Sequence, residues 1–374
     1  MTSFIPSLFS RMEFIGATKV AVSEQPVNAL HLAKKIAEAK SLKVLRKGVA
    51  PDRIIHANPC KASALIEYAN DNNTFLALCL FCQGVRMMTF DSAEELEKIA
   101  KHLANPELVL RIAVSDPTAS CPQIGKYGAD PAAIAPDLLM QALELGFSVA
   151  GVSFHVGSGC KDPSAYRVAL KHARNLVDFG RKLGHVMKIV DVGGGFPGGD
   201  HHPSFEQMAS IIRSVIDEYF PDNDVRFIAE PGRFFVDHPC TLVVNVIARK
   251  AVNVKHGETA TTHMHYYVND GVFGCFNCIV YDHVLKCGRP LFSRKTESFT
   301  STIFGPSLDS IDRIEQNKVM RALDVGEWLI YEDMGAYTAA IATTFNGFAR
   351  PTPVHVVSER IWKILGLAGN NNKN

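Results

Sequence analysis

Three short stretches carry side chains that could do chemistry together: Val152-Ser-Phe-His-Val-Gly-Ser-Gly159, Lys188-Ile-Val-Asp-Val-Gly-Gly-Gly-Phe-Pro197 and Phe227-Ile-Ala-Glu-Pro-Gly-Arg233. Each is an apolar run that ends in glycine plus a polar or charged group. Gly193, Gly194 and Gly195 can offer backbone N–H donors, Ser158 a hydroxyl and Arg233 a full charge, a set that suits a phosphate monoester. Taken alone, three glycines are more simply a tight turn, so the combination carries the reading. His155 could stack on or hydrogen-bond a planar ligand, or could be a satisfied core histidine. Glu230 could form a salt bridge with Arg233. Alternatively, its carboxylate could hold a ring nitrogen protonated and make that ring an electron sink.

These stretches must lie at equivalent ends of neighbouring strands. From Ala50 onward, candidate strands Arg53–Ala57, Val85–Phe90, Leu108–Ala113, Val149–His155, Lys188–Val192 and Arg226–Ala229 alternate with helical patterns Ser92–Leu103, Pro136–Leu145, Ser164–Leu183 and Phe205–Tyr219. The strands are continuous apolar runs, as expected when both faces are buried in a parallel barrel. Such a (β/α) barrel carries its site at the C-terminal ends of the strands. A closed barrel needs eight strands and this pattern supplies six. The break falls at Lys40–Gly48, after an amphipathic helix at Val27–Lys40.

Beyond Phe234 the segments become short and β-rich: Thr241–Ile247, His265–Asn269, Phe276–Tyr281, Phe299–Phe304, Glu327–Tyr331 and Val354–Val357, with a charged linker at Lys250–Glu258. They predict a second, all-β domain. The expected organisation is an N-terminal segment 1–26 packing on the β domain, a barrel over 27–233, the β domain over 234–366 and a disordered tail over 367–374.

Composition excludes several classes. The 374 residues are 47% hydrophobic and 21% charged with a net charge of +1, which gives no reason to invoke nucleic acid or an anionic membrane. No apolar run is long enough to span a bilayer and the N-terminus lacks a basic start, so a cytoplasmic protein is expected. Nine cysteines argue against a complete disulfide framework. The pairs Cys79/Cys82 and Cys275/Cys278 have zinc-like spacing. However, the first lies in an apolar run, and in a strand the second would point to opposite faces, so buried thiols are expected.

In the second domain, Asp282 (beside Tyr281) and Asp309 sit in loop-like stretches, where they could bind a cation or simply be solvated. Tyr337 could donate to a phosphate or be a buried aromatic.

HVGSGC, DVGGGFPG, AEPGRFFV, YYVNDGVFGCFNCIVYDH, GPSLDSIDRI and DMGAYTAAIATTFNGF together resemble the eukaryotic ornithine decarboxylase family. These are fold-type III pyridoxal-phosphate enzymes with an alanine-racemase-like (β/α)8 barrel and a C-terminal β-barrel domain. The resemblance covers Val27–Lys40 and nearly all of Gly48–Leu365. It implies pyridoxal 5′-phosphate, with His155 on the pyridine ring and Glu230 at its nitrogen. Ser158, Gly193, Gly194, Gly195, Arg233 and Tyr337 would hold the phosphate. Tyr281, Asp282, Asp309 and Phe345 would line the substrate site, with Asp309 supplied by the second subunit of a homodimer. Lys126 and Asp312 would pair across the dimer. The implied reaction is loss of CO2 from L-ornithine, reprotonation at Cα and release of putrescine.

Three features depart from the family pattern. The strand P-x-Y-A-V-K-C-N, which carries the Schiff-base lysine, has no counterpart and would fall in the 40–48 break. The reprotonating cysteine falls at Leu308. Residues 73–83, NTFLALCLFCQ, read as an insertion. They leave three expectations: an ornithine decarboxylase whose transcript skips an exon at 40–48 and reads through at 73–83, a non-catalytic homologue resembling antizyme inhibitor that binds antizyme through 50–70, or a decarboxylase of another basic amino acid.

Overall fold

The computed structural model describes residues 48–61, 84–114, 116–119, 125–199, 203–256 and 259–356. The expected helix at 27–40, the break at 40–47, the insertion at 73–83, most of the 50–70 stretch, Cys79/Cys82 and the tail lie outside them.

Six parallel strands form one sheet in chain order: β1 (Ile55–His56), β2 (Met87–Phe90), β3 (Glu107–Arg111), β4 (Val149–Ser153), β5 (Ile189–Asp191) and β6 (Arg226–Ile228). All six expected strands are present, with ends that differ from the expected ones by at most two residues. Among the described residues, four helices connect β2 through β6: α1 (Ala93–His102), α2 (Ala135–Glu144), α3 (Ser164–Leu183) and α4 (Phe205–Tyr219). The start of α1 is set by Ser92, whose hydroxyl accepts from the Glu95 amide. Ser204 and Gln207 form a reciprocal capping box on α4.

The sheet is buried on both faces. On one side, Leu96, Ile99, Leu139, Tyr166 and Leu170 of the helices pack against strand residues such as Met88, Leu108, Val152 and Val190. On the other, each strand contributes one side chain to a second cluster: Ile55, Met87, Val109, Ala150, Ile189 and Ile228. This inward layer is the interior of a curled half-barrel, and it explains why the strands read as unbroken apolar runs.

Among the described residues, the first βα unit is tied by a buried ion pair. The Lys61 ammonium contacts Glu95 at 2.8 Å, with side chains 0% and 3% exposed, and donates to the Thr89 carbonyl at 2.7 Å. Lys98 also pairs with Glu95.

After a short helix α5 (Gly232–Val236), six more strands form a mixed sheet: β7 (Leu242–His256), β8 (Thr259–Val268), β9 (Arg289–Pro290), β10 (Ser298–Phe304), β11 (Arg313–Arg321) and β12 (Trp328–Tyr331). Their order is β11-β10-β8-β7-β12-β9. Four sequence expectations are corrected here. The charged linker 250–258 is mostly strand, because β7 and β8 form a long hairpin with Lys250 opposite His265. Much of that ribbon is exposed, so charge does not oppose pairing. Phe276–Tyr281 is helical: a 3-10 turn at Cys275–Asn277 leads into α6 (Cys278–Tyr281). The Asp270 carboxylate takes the amides of Gly271 and Cys275, and Asn277 donates to the Thr338 carbonyl at 2.7 Å. These tertiary hydrogen bonds decide a short apolar run that periodicity cannot. Strand β11 was not expected, since a bulge at Asn317 (φ 56°) breaks its alternation. Finally, residues 354–356 form no strand.

Replacing Glu95 with Ala would leave the Lys61 ammonium buried without a counter-charge, at a cost of about 3–5 kcal/mol. Urea unfolding of Glu95→Ala should show that loss, and the double variant Lys61→Met/Glu95→Leu should recover most of it.

Candidate functional site

His155 follows β4, the three glycines follow β5, and Glu230 and Arg233 follow β6. Parallel pairing of Val152 with Val190, and of Val190 with Phe227, places these three turns side by side at the C-terminal ends of the strands. The turns are also bonded to each other. The Glu230 amide donates to the Gly193 carbonyl at 2.7 Å, and the Cys160 amide to the Gly195 carbonyl at 3.1 Å.

Gly194 has a steric reason to be glycine: a Cβ there would lie 2.7 Å from the His155 Nε2. Gly193 adopts φ +65°, and a Cβ would strike the Phe154 carbonyl oxygen. The Gly193 amide is already taken by Asp191 Oδ1 at 2.8 Å. Among the described residues, no protein acceptor takes the buried amides of Gly194 and Gly195, so these two can serve a phosphate.

His155 is neutral. Its Nδ1 accepts from the Gly157 amide at 3.0 Å, which puts the ring proton on Nε2. Burial, helped by the charge of Arg111, pushes its pKa down to about 4. At the ends of the neighbouring strands β5 and β6, the carboxyl groups of Asp191 and Glu230 face each other. Burial first, and then the neighbouring Glu230 charge, push Asp191 up to about 8. Asp191 Oδ2 is buried with no hydrogen-bond partner. A carboxyl pair that holds a proton suits a ring nitrogen that needs a donor or a counter-charge.

Arg233 gathers the opposite end of the site. Its Nη2 donates to Ser158 Oγ at 3.2 Å and to Asp282 Oδ2 at 2.8 Å, and its Nε lies 3.4 Å from the same hydroxyl. Asp237 lies 3.6 Å from Nη1. The guanidinium stacks 5.1 Å above the ring of Tyr337, whose backbone holds φ +52°. A bulky residue in the left-handed region costs about 1–3 kcal/mol and is held there by its surroundings. The ion pair expected as the plainer role of Glu230 is therefore not formed. Arg233 takes Asp282 and Asp237 instead, and Glu230 faces Asp191.

The remaining expected residues scatter. Asp282, expected to wait for a cation, is paired with Arg233. Tyr281 and Phe345 are exposed at their rims, and Phe345 packs 4.2 Å from the Phe273 ring. Asp309 lies in an exposed loop and caps the Ile311 amide at 3.0 Å. Leu308 beside it is 97% exposed. Lys126 lies 5.0 Å from the Tyr127 ring centroid. Asp312, expected to meet Lys126 across a dimer, is 2% exposed and takes the amides of Val272 and Ser307 of its own chain at 2.8 and 2.9 Å. Cys275 and Cys278 are both buried, and burial raises both thiols.

Sequence reasoning missed three residues. Asp191 was visible in DVGGG as the residue two before the first glycine but was read only as strand. Arg111 ends β3 and sits over Tyr127 at 5.1 Å. Asp116 takes the amides of Lys161 and Asp162 at 2.9 Å and so shapes the turn carrying Ser158. Burial would raise its pKa, but these bonds and those from Thr118 outweigh burial and lower it to about 2.

Comparison with known proteins agrees with this geometry. Residues 37–237 match the pyridoxal-binding domain of pyridoxal-dependent decarboxylases. The chain is 52% identical over 328 residues to ornithine decarboxylase of Caenorhabditis elegans, covering 86% of this chain and 75% of that one. It is 43% identical to antizyme inhibitor 2 of Xenopus laevis, covering 86% and 69%. The structure of Paramecium bursaria Chlorella virus arginine decarboxylase bound to agmatine superposes with a TM-score of 0.73 at 32% identity, covering 83% and 80%. The chain belongs to the pyridoxal-dependent decarboxylase family, in its eukaryotic ornithine decarboxylase-like branch. The residues fit the family's cofactor, pyridoxal 5′-phosphate: two unclaimed amides, Ser158 and Arg233 for its phosphate, neutral His155 for its ring face, and the Asp191–Glu230 pair for its nitrogen.

The Asp191 proton has a consequence for stability. Its folded pKa lies above the ordinary carboxylate value, so between about pH 4 and 8 the folded chain holds a proton that the unfolded chain has released, and stability falls as pH rises through that window. Asp191→Asn keeps the acceptor for Gly193 and removes the titration. Its stability relative to the parent should rise between pH 4 and 8 in paired urea melts.

Proposed function

We propose that the chemistry of this site is decarboxylation of L-ornithine to putrescine and CO2, the first step of polyamine formation, with pyridoxal 5′-phosphate at the ends of β4 to β6. The observation that carries this reading is Arg233, which touches both Ser158 and Asp282: a phosphate anchor and a carboxylate suited to an ammonium stand on one guanidinium. When bound, pyridoxal phosphate supplies an electron sink for the pair left by the departing carboxylate. His155 offers an uncharged face to the ring. The Asp191–Glu230 pair keeps a proton at the ring nitrogen. Arg233, Ser158, Tyr337 and the amides of Gly194 and Gly195 hold the phosphate, while Asp282 neutralises the distal ammonium. Tyr281 and Phe345 flank that end. Asp309, on its exposed loop, would complete the site of the second subunit in a cytoplasmic homodimer, with Lys126 near the contact.

Two residue-level facts set the rate expected of this chain. No P-x-Y-A-V-K-C-N strand occurs in the sequence, and Leu308 cannot return a proton to Cα. CO2 release from carboxyl-labelled ornithine should therefore fall at least about a thousandfold below an ordinary kcat of about 10 s⁻¹. Turnover at ordinary rates would overturn this expectation. A transcript restored across 40–48 should regain part of the activity, since Leu308 stays in place, and a preference for lysine or arginine in that protein would mark a decarboxylase of another basic amino acid.

Leu308 also supports a second reading, that of an inactive homologue that binds antizyme. Capture of antizyme without putrescine formation would favour it. Under the first reading, Arg233→Ala should weaken binding of pyridoxine 5′-phosphate about 10- to 100-fold in a calorimetric titration, the scale of one charge-assisted hydrogen-bond set.

A further inference from the structure

Tyr166 lies in the first turn of α3 and is fully buried, and its hydroxyl donates to the Gly194 carbonyl at 2.8 Å. We propose that Tyr166 is a positioning residue, whose hydroxyl fixes the peptide unit between Gly194 and Gly195 so that the Gly195 amide is aimed at a bound phosphate. The proposal rests on the reading above, in which that amide serves a phosphate monoester.

The need for such a residue begins in the sequence. Gly193, Gly194 and Gly195 carry no side chains, so no side chain of the turn anchors the two peptide units that join them. Glycine takes φ of either sign, and here Gly193 has φ +65° and Gly195 φ +111°. A peptide unit between two glycines therefore turns over, exchanging the directions of its carbonyl and its N–H, at less cost than between other residues. In a trans peptide those two groups point in opposite directions. Whatever holds the carbonyl of one glycine thus aims the amide of the next.

Each carbonyl of the turn has a donor. The Glu230 amide donates to Gly193 and the Cys160 amide to Gly195, at 2.7 and 3.1 Å. Both are backbone groups. The Gly194 carbonyl is held by a side chain, through the Tyr166 hydroxyl. The bond at Gly193 aims the Gly194 amide, and the bond at Gly194 aims the Gly195 amide. Tyr166 is itself firmly placed: its ring centroid lies 6.2 Å from that of Phe154 and 5.8 Å from that of Phe196. Burial disfavours its ionised form and raises its pKa, so the hydroxyl keeps its proton. A Cβ at Gly195 would lie 2.8 Å from the hydroxyl oxygen, so the glycine and the hydroxyl require each other. Because it binds the carbonyl side, Tyr166 acts through the turn and not on the ligand.

The test is titration of the full chain, carrying isotope-labelled glycine, with pyridoxine 5′-phosphate, which has no aldehyde and cannot bond to lysines. Calorimetry gives the affinity and amide NMR gives the response of each glycine. In the parent, the ester should move the Gly194 and Gly195 amide protons downfield together. Tyr166→Phe removes the hydroxyl and keeps the packed ring. It should bind the ester about fivefold more weakly, the scale of one neutral hydrogen bond. Its Gly194 amide, still aimed through the Glu230 bond, should respond as before, while its Gly195 amide should not.

Equal affinity in the parent and in Tyr166→Phe would overturn the proposal. So would a weaker variant in which both amides keep their response or both lose it, since that marks a loss of packing and not of aim. In the parent alone, a Gly195 amide unmoved by the bound ester would also sink it, and that result needs no variant to fold. In each of these cases binding of the ester leaves the proposed function standing. If the parent itself did not bind the ester, the proposed function would fall, and this role with it.

Discussion

The arrangement depends on placing one permanently charged guanidinium where little water reaches it. Burial opposes the charge of Arg233, but Asp282 and Asp237 outweigh burial and raise its pKa. An arginine so placed must be surrounded by acceptors, and those acceptors come from separate parts of the chain. Ser158 follows β4, Asp237 follows α5, Asp282 ends α6, and Tyr337 lies beneath in a strained backbone conformation. The end of the parallel sheet and the loops of the mixed sheet both contribute acceptors to this group.

The other half of the site follows the opposite rule. Around His155, Asp191 and Glu230, burial favours the uncharged forms: the imidazole loses its proton and the carboxyl pair keeps one. Burial is the larger cause for His155, and the charge of Arg111, over Tyr127, adds to it. A site with a formal charge at one end and a shared proton at the other, about a glycine turn between them, matches a cofactor that is anionic at its phosphate and protonated at its ring.

Buried aspartates organise the loops around this centre in a common way. Asp116, Asp270 and Asp312 each direct carboxylate oxygens at backbone amides of a turn. For Asp116 the amide and hydroxyl donors outweigh burial, whereas for Asp270 burial outweighs the donors. The amides that Asp312 accepts turn it inward in its own chain, although its place in the DSID stretch resembles a residue that pairs across a dimer.

By itself, the sequence determined the six parallel strands, their helices and the three turns that carry His155, the glycines and Arg233. Strands buried on both faces leave unbroken apolar runs, and helices with one buried face leave a 3.6-residue pattern, so both can be read locally. It also determined the family, through motifs whose order is as specific as their composition. Only the tertiary structure decided which acid faces which base. Glu230 stands three residues from Arg233 yet pairs with Asp191 across two strands, while Arg233 takes Asp282 from 49 residues away. Chain separation says little about such pairs, since they are set by where buried charges find partners. Tertiary contacts likewise decided that Phe276–Tyr281 coils into a helical turn and that 250–256 extends as strand. In both segments local preference was weak, and hydrogen bonds from distant residues made the choice.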